Sequence, residues 1–149
     1  MLISCGSGNY IVKPGQAFFV YPHMAHSVDS ANGEYVAYDV IKLDMHQFSD
    51  SSSYAPQMYA IFGDIARRGL PQLFDKTAVE EMGLPFKMRL CIRESHEKVY
   101  GYDLVIKSFL YVILTGLLRQ WMKKGFSVEQ EVFQSELFAS IDSVTSYIE

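Results

Sequence analysis

Asp103-Leu104-Val105-Ile106-Lys107-Ser108-Phe109-Leu110-Tyr111-Val112-Ile113-Leu114-Thr115-Gly116-Leu117-Leu118-Arg119-Gln120-Trp121-Met122-Lys123-Lys124 is apolar on almost every face of a helix. At 3.6 residues per turn, Val105, Phe109 and Val112 share one face, Ile106, Leu110, Ile113 and Leu117 a second, and Leu114, Leu118 and Met122 a third. Asp103 can cap its start, and Lys123, Lys124 and Gly125 can end it. One partner surface cannot cover all three faces. A helix of this kind packs on its own domain with one face and on a second subunit with another, which predicts a homodimer through Ile106, Leu110, Ile113, Leu114 and Leu117. A central helix buried on every side within one subunit meets the same pattern. The continuous apolar run from Ser108 to Leu118 lies between Lys107 and Arg119 and falls short of the roughly 20 residues that cross a bilayer, so no membrane contact is expected.

Before this helix the period of the chain changes once. From Met1 to about Phe48, short β-prone runs alternate with turn residues: Tyr10 to Val12, Ala17 to Tyr21, and Tyr35 to Leu43. Lys13-Pro14-Gly15-Gln16 suits a type II turn, because Pro presets φ at the second position and Gly supplies positive φ at the third. Asn32-Gly33 is a second turn signal. Three or four antiparallel strands follow, too few to close on themselves, so further strands are expected ahead of Met1.

After the Ser-rich break at Ser49 to Ser53 the pattern becomes helical. Met58, Ile61, Phe62 and Ile65 form one stripe that Arg67-Arg68-Gly69 can end. Thr77 to Glu80 has capping-box spacing and opens a short helix that Gly83 can stop. Pro85 opens another, with Met88, Cys91, Ile92, Ser95 and Val99 inward and Arg93 paired with Glu97 outward. The expected class is therefore α+β, divided as residues 1–48, 49–126 with the helix over 103–124, and 127–149. In the last part, Leu137, Phe138, Ile141, Val144 and Ile148 begin an amphipathic helix.

Composition narrows the function. Nearly half of the 149 residues are apolar and the net charge is −4, which excludes a disordered chain and a stand-alone nucleic-acid binder. Cys5 and Cys91 fit no metal or redox spacing, no secretory signal opens the chain, and a cytoplasmic location is expected. There is no Gly-rich phosphate loop, no Gly-x-Ser-x-Gly elbow and no tuned carboxylate pair, so no enzyme is expected.

Three stretches, taken in order, resemble the AraC/XylS family of bacterial transcription regulators. Gly8-Asn9-Tyr10-Ile11-Val12-Lys13-Pro14-Gly15-Gln16-Ala17-Phe18-Phe19-Val20-Tyr21-Pro22, followed by His26, resembles the second half of the family's cupin barrel. Gly101 to Ser108, leading through Leu117-Leu118-Arg119, resembles its dimerisation helix. Ile141 to Glu149 resembles the opening of the paired helix-turn-helix DNA-binding domain. The resemblance implies a partial cupin-like antiparallel β-barrel, a jelly-roll half, followed by a helical dimerisation segment. It implies an effector-binding and dimerisation domain that controls transcription in response to a small molecule such as a sugar, reaching promoter DNA only through a C-terminal domain that this chain lacks. Alignment with the family places Tyr38 and Val40 toward the barrel interior with Val28 and His26, where a phenol, an imidazole and aliphatic walls suit a small polar ligand. Ordinary core packing explains Val28 and Val40 equally well. Asp39 is either solvent-facing or functional.

The alternative is a metal-dependent cupin enzyme. His23 and His26 follow Pro22, but in extended chain residues three apart point to opposite faces, and no acidic partner lies at ligand spacing. Metal ligands and cofactors are not expected.

Overall fold

The computed structural model of the chain describes residues 1–6, 8–30, 33, 35–48 and 57–128. The start of the terminal amphipathic helix and most of the linker before it lie outside the described residues.

Among the described residues the architecture is mixed α and β, with a three-stranded and a two-stranded antiparallel sheet and four α-helices. In the larger sheet β1 (Leu2–Cys5) lies between β2 (Gly8–Ile11) and β4 (His26–Asp29), with Leu2 opposite both Ile11 and Asp29. Ile3 and Cys5 alternate onto the buried face and pack with Val12 in a small core of their own. Met1 extends the ladder, its carbonyl accepting from the Val12 amide at 2.8 Å. The Pro14-Gly15 turn forms as its residues demand, with Gly15 at φ 82° and the Gln16 amide donating to the Lys13 carbonyl at 3.1 Å. It leads into β3 (Ala17–Phe18), which pairs with β5 (Leu73–Phe74). That pairing ties the sheet region to the helices.

The helical half follows its apolar stripes. α1 (Met58–Arg68) buries Met58, Ile61, Phe62 and Ile65 and ends on Gly69 in the left-handed region. α2 (Lys76–Glu81) is capped by Asp75, whose carboxylate accepts from the Ala78 amide at 2.8 Å, and not by a box starting at Thr77. α3 (Leu84–Glu97) carries Pro85 in its first turn. There Ser95 stands exposed instead of facing inward, Val99 lies exposed beyond the helix end, and Arg93 meets Glu94, 3.7 Å away, instead of Glu97. α4 (Tyr102–Lys123) packs along α3 and opens after Gly101, at φ 81°, without a side-chain cap from Asp103.

The main core centres on Trp121. Its ring meets Phe19, Phe62 and Phe74 at centroid distances of 5.7, 5.7 and 5.3 Å, and its Nε1 donates to the Pro71 carbonyl at 2.8 Å. Buried Gln72 donates from Nε2 to the Phe19 carbonyl at 2.8 Å, and Tyr21 donates its hydroxyl to the Leu70 carbonyl. These bonds satisfy the polar backbone where the β3 strand passes under the helices.

Two expectations need correction. Residues 35–43 form no strand, while the open sheets among the described residues agree with the expectation that so few strands cannot close on themselves. The apolar alternation there offered a pairing face, but a strand exists only where another strand accepts its hydrogen bonds, and Tyr35 to Leu43 meets none among the described residues. The second concerns the α4 residues expected to meet a second copy. Leu110, Ile113, Leu114 and Leu117 are buried in the chain's own core, and Ile106 is partly buried against it. All three faces were apolar, and only the tertiary packing decides which one the protomer itself covers.

Candidate functional site

The residues aligned with the family's ligand site all stand exposed. His26 and Val28 lie on one face of β4, an edge strand, both exposed; His26 Nδ1 sits 3.2 Å from the Met24 carbonyl. Tyr38 and Val40 lie on the extended segment and are 53% and 62% exposed. Asp39 is solvent-facing. Among the described residues, no group of three or more His, Cys, Asp or Glu side chains is placed to hold a metal ion, and His23 and His26 are both exposed.

A concave site lies elsewhere, where the end of α2 and the first turn of α3 approach α4. The cleft has a volume of about 560 Å³ and opens to solvent. From α4 it takes Val112, Thr115, Gly116, Arg119 and Lys123, which share a face by helical spacing, together with Tyr111 and Gln120 at its margins. From across the cleft come Glu81, Met82 and Lys87.

Gly116 allows this approach. A Cβ at that position would stand 3.3 Å from Met82 Cγ, tighter than most packed contacts, so the Met82 side chain would have to give way for a side chain there. Polar residues then organise the rim. Glu81 Oε2 accepts from Lys123 Nζ at 2.6 Å and from buried Gln120 Nε2 at 2.9 Å. The Lys123 hydrogen bond first, then that of Gln120 and the Lys123 charge, hold the Glu81 carboxyl below its ordinary range. Lys87 donates to the Met82 carbonyl. Arg119 is exposed and has no hydrogen bond or ion pair among the described residues.

Sequence reasoning passed over this site because its residues looked like the end of an apolar helix. The signal was present: Thr115, Arg119 and Lys123 recur at i, i+4 and i+8 on a helix otherwise rich in Leu, Ile and Val.

Beside the cleft, toward the start of α4, is an apolar surface. Leu104, Val105 and Val112 are 68%, 37% and 48% exposed, and Met122 stands out farther along the helix at 49%. By length and composition alone α4 would cross a membrane, a measure that core helices of soluble proteins also meet. Here Leu114, Leu117 and Trp121 lie in the protomer's core. No family model, curated protein or solved structure matches this chain.

Proposed function

We propose that this chain is a ligand-sensing, dimerising regulatory module of the kind found in AraC/XylS transcription regulators, acting in the cytoplasm and reaching promoter DNA through a separate helix-turn-helix domain. The observation that carries this reading is the double surface of α4. One side completes the protomer's core around Leu114 and Trp121, while Leu104, Val105 and Val112 present apolar side chains to solvent on the other. Val105 and Val112, at i and i+7, share one exposed face and Leu104 lies at its border; such apolar surface favours association, because burying it removes apolar area from water at roughly 25 cal/mol per Å². A second copy of the same helix supplies a matching surface by two-fold symmetry. The stretch from Gly101 to Ser108 that resembles the family's dimerisation helix contains the start of this face.

The four residues aligned with the family's effector site, His26, Val28, Tyr38 and Val40, stand on open surface. A ligand site needs concavity to desolvate its ligand, and the cleft beside α4 supplies it. Ligand binding there would bias the arrangement of two protomers only by contacting their two arrangements differently.

Cysteine cross-linking tests the dimer face, since native Cys5 and Cys91 are both free and buried. Under mild oxidation, Val105→Cys or Val112→Cys should give a covalent dimer, whereas Tyr38→Cys should remain a monomer. Equal cross-linking at all three positions, or at Tyr38→Cys alone, would contradict the assignment.

A further inference from the structure

We propose that the cleft between the α2–α3 turn and α4 binds a small organic carboxylate with an apolar body. The proposal deepens the sensing function above, resting on it for the ligand's role and not for binding itself.

Charge selects an anion. Lys87, Arg119 and Lys123 face one carboxylate, Glu81, across the cleft. Glu81 is already engaged by Lys123 and Gln120, and Lys87 by the Met82 carbonyl. Arg119 is left with its donors unmet by any described residue. A guanidinium presents a planar fork of donors that matches the two oxygens of a carboxylate, with a charge-assisted bond from each arm. Thr115 lies one helical turn before Arg119 on the same face, where its hydroxyl can serve the same head group.

Apolar walls select the body. Met82 and Val112 flank the charged residues, and Tyr111, whose ring packs edge-on against Phe48 at 5.0 Å, closes the margin. Gly116 lets the Met82 side chain close against the α4 wall between Val112 and Arg119, so the thioether and Val112 form the apolar surface on which a ligand's body would rest. The volume of about 560 Å³ is within the usual range of roughly 300–1,000 Å³ for small-molecule sites. Inorganic phosphate would fill little of it and leave the apolar wall wet. The cleft also lacks the glycine-rich loop that cradles phosphate with backbone amides. An aryl or short alkyl carboxylic acid uses both halves of the site.

Calorimetry and amide chemical-shift mapping on the full chain provide the test, with benzoate, 3-phenylpropionate and hexanoate as probes and benzyl alcohol and inorganic phosphate as controls. At about 10 mM, above a millimolar dissociation constant, at least one carboxylate should bind. It should shift amides of Tyr111 to Lys123 and of Met82 to Lys87. Arg119→Gln should weaken it by about tenfold or more. Arg119→Lys, which keeps the charge without the fork, should bind with intermediate strength, and His26→Ala should bind as the unmodified chain does. Because Arg119 is exposed, a thermal melt of each variant should match the parent. Failure of all three carboxylates to shift these amides would overturn the proposal. So would equal binding by phosphate or benzyl alcohol, or binding indifferent to Arg119→Gln. Sedimentation on the same samples separates the two claims: a monomer that binds carboxylate here contradicts the dimer and upholds the site, and a dimer that binds none does the reverse.

Discussion

At the scale of single residues, Tyr21 joins folding to pH. Its ring is buried and its hydroxyl donates to the Leu70 carbonyl, bridging the end of the β3 segment to the loop after α1. Burial, with a smaller contribution from the charge of Tyr10, pushes its phenol up to about 12. In the unfolded chain a tyrosine titrates near 10. A phenol whose value is raised on folding favours the folded state fully below the unfolded value. That contribution is lost as pH climbs from about 10 toward 12, because the unfolded chain releases its proton first. We predict that Tyr21→Phe costs about 1 kcal/mol at neutral pH through the lost hydrogen bond. Urea titrations from pH 8 to 11.5 should then show a shallower alkaline decline for the variant than for the parent. Parallel declines would mean that Tyr21 does not drive the alkaline loss. Cys91 is shifted in the same direction, chiefly by desolvation, which fits a thiol that packs as a small apolar group.

At the scale of elements, the proposed dimer predicts that the two faces of α4 separate stability from association. Leu114 is fully buried, so Leu114→Ala should destabilise the protomer by about 2–5 kcal/mol, the range for emptying a packed leucine site. Val105→Ala, on the exposed face, should change protomer stability by less than about 0.5 kcal/mol. Chemical denaturation at high dilution distinguishes them, and similar losses at both positions would show the faces to be misassigned. The helices were legible in the sequence because each carries its own signal: Met58, Ile61, Phe62 and Ile65 repeat with the helical period and all four are buried. The strands were less so. β4 is His26-Ser27-Val28-Asp29, exposed along its length, and it is held by backbone bonds to β1 that no side-chain pattern announces. β1 shows only two buried positions, Ile3 and Cys5, and β5 is two residues long. Tyr35 to Leu43 erred in the opposite direction, an alternating pattern without a partner strand. The cleft was hidden for a related reason. Its α4 residues lie within one helix, but Glu81, Met82 and Lys87 reach them only once α2 and α3 have packed.

At the scale of the whole molecule, the sheet region and the helices are joined by the β3–β5 pair and the aromatic cluster around Trp121. That joint fixes α4 with Leu114 inward and Val105 and Val112 outward. The outward face and the cleft share Val112, so a ligand in the cleft would lie against the edge of the proposed dimer contact. This proximity gives a physical route from binding to protomer arrangement without long-range transmission through the core. A stable contact of this kind buries roughly 1,200–2,000 Å² in total, more than three valine and leucine side chains supply, so neighbouring exposed residues such as Tyr100 and Val99 should also contribute. Sedimentation velocity of the full chain, beside Val112→Asp, tests the central claim most directly. At about 100 μM, well above a micromolar dissociation constant, the unmodified chain should sediment at twice the protomer mass. The variant, with an unpaired charge in the contact, should sediment as a folded monomer. An unmodified chain that stays monomeric at that concentration, or a Val112→Asp variant that dimerises as readily as its parent, would contradict the account.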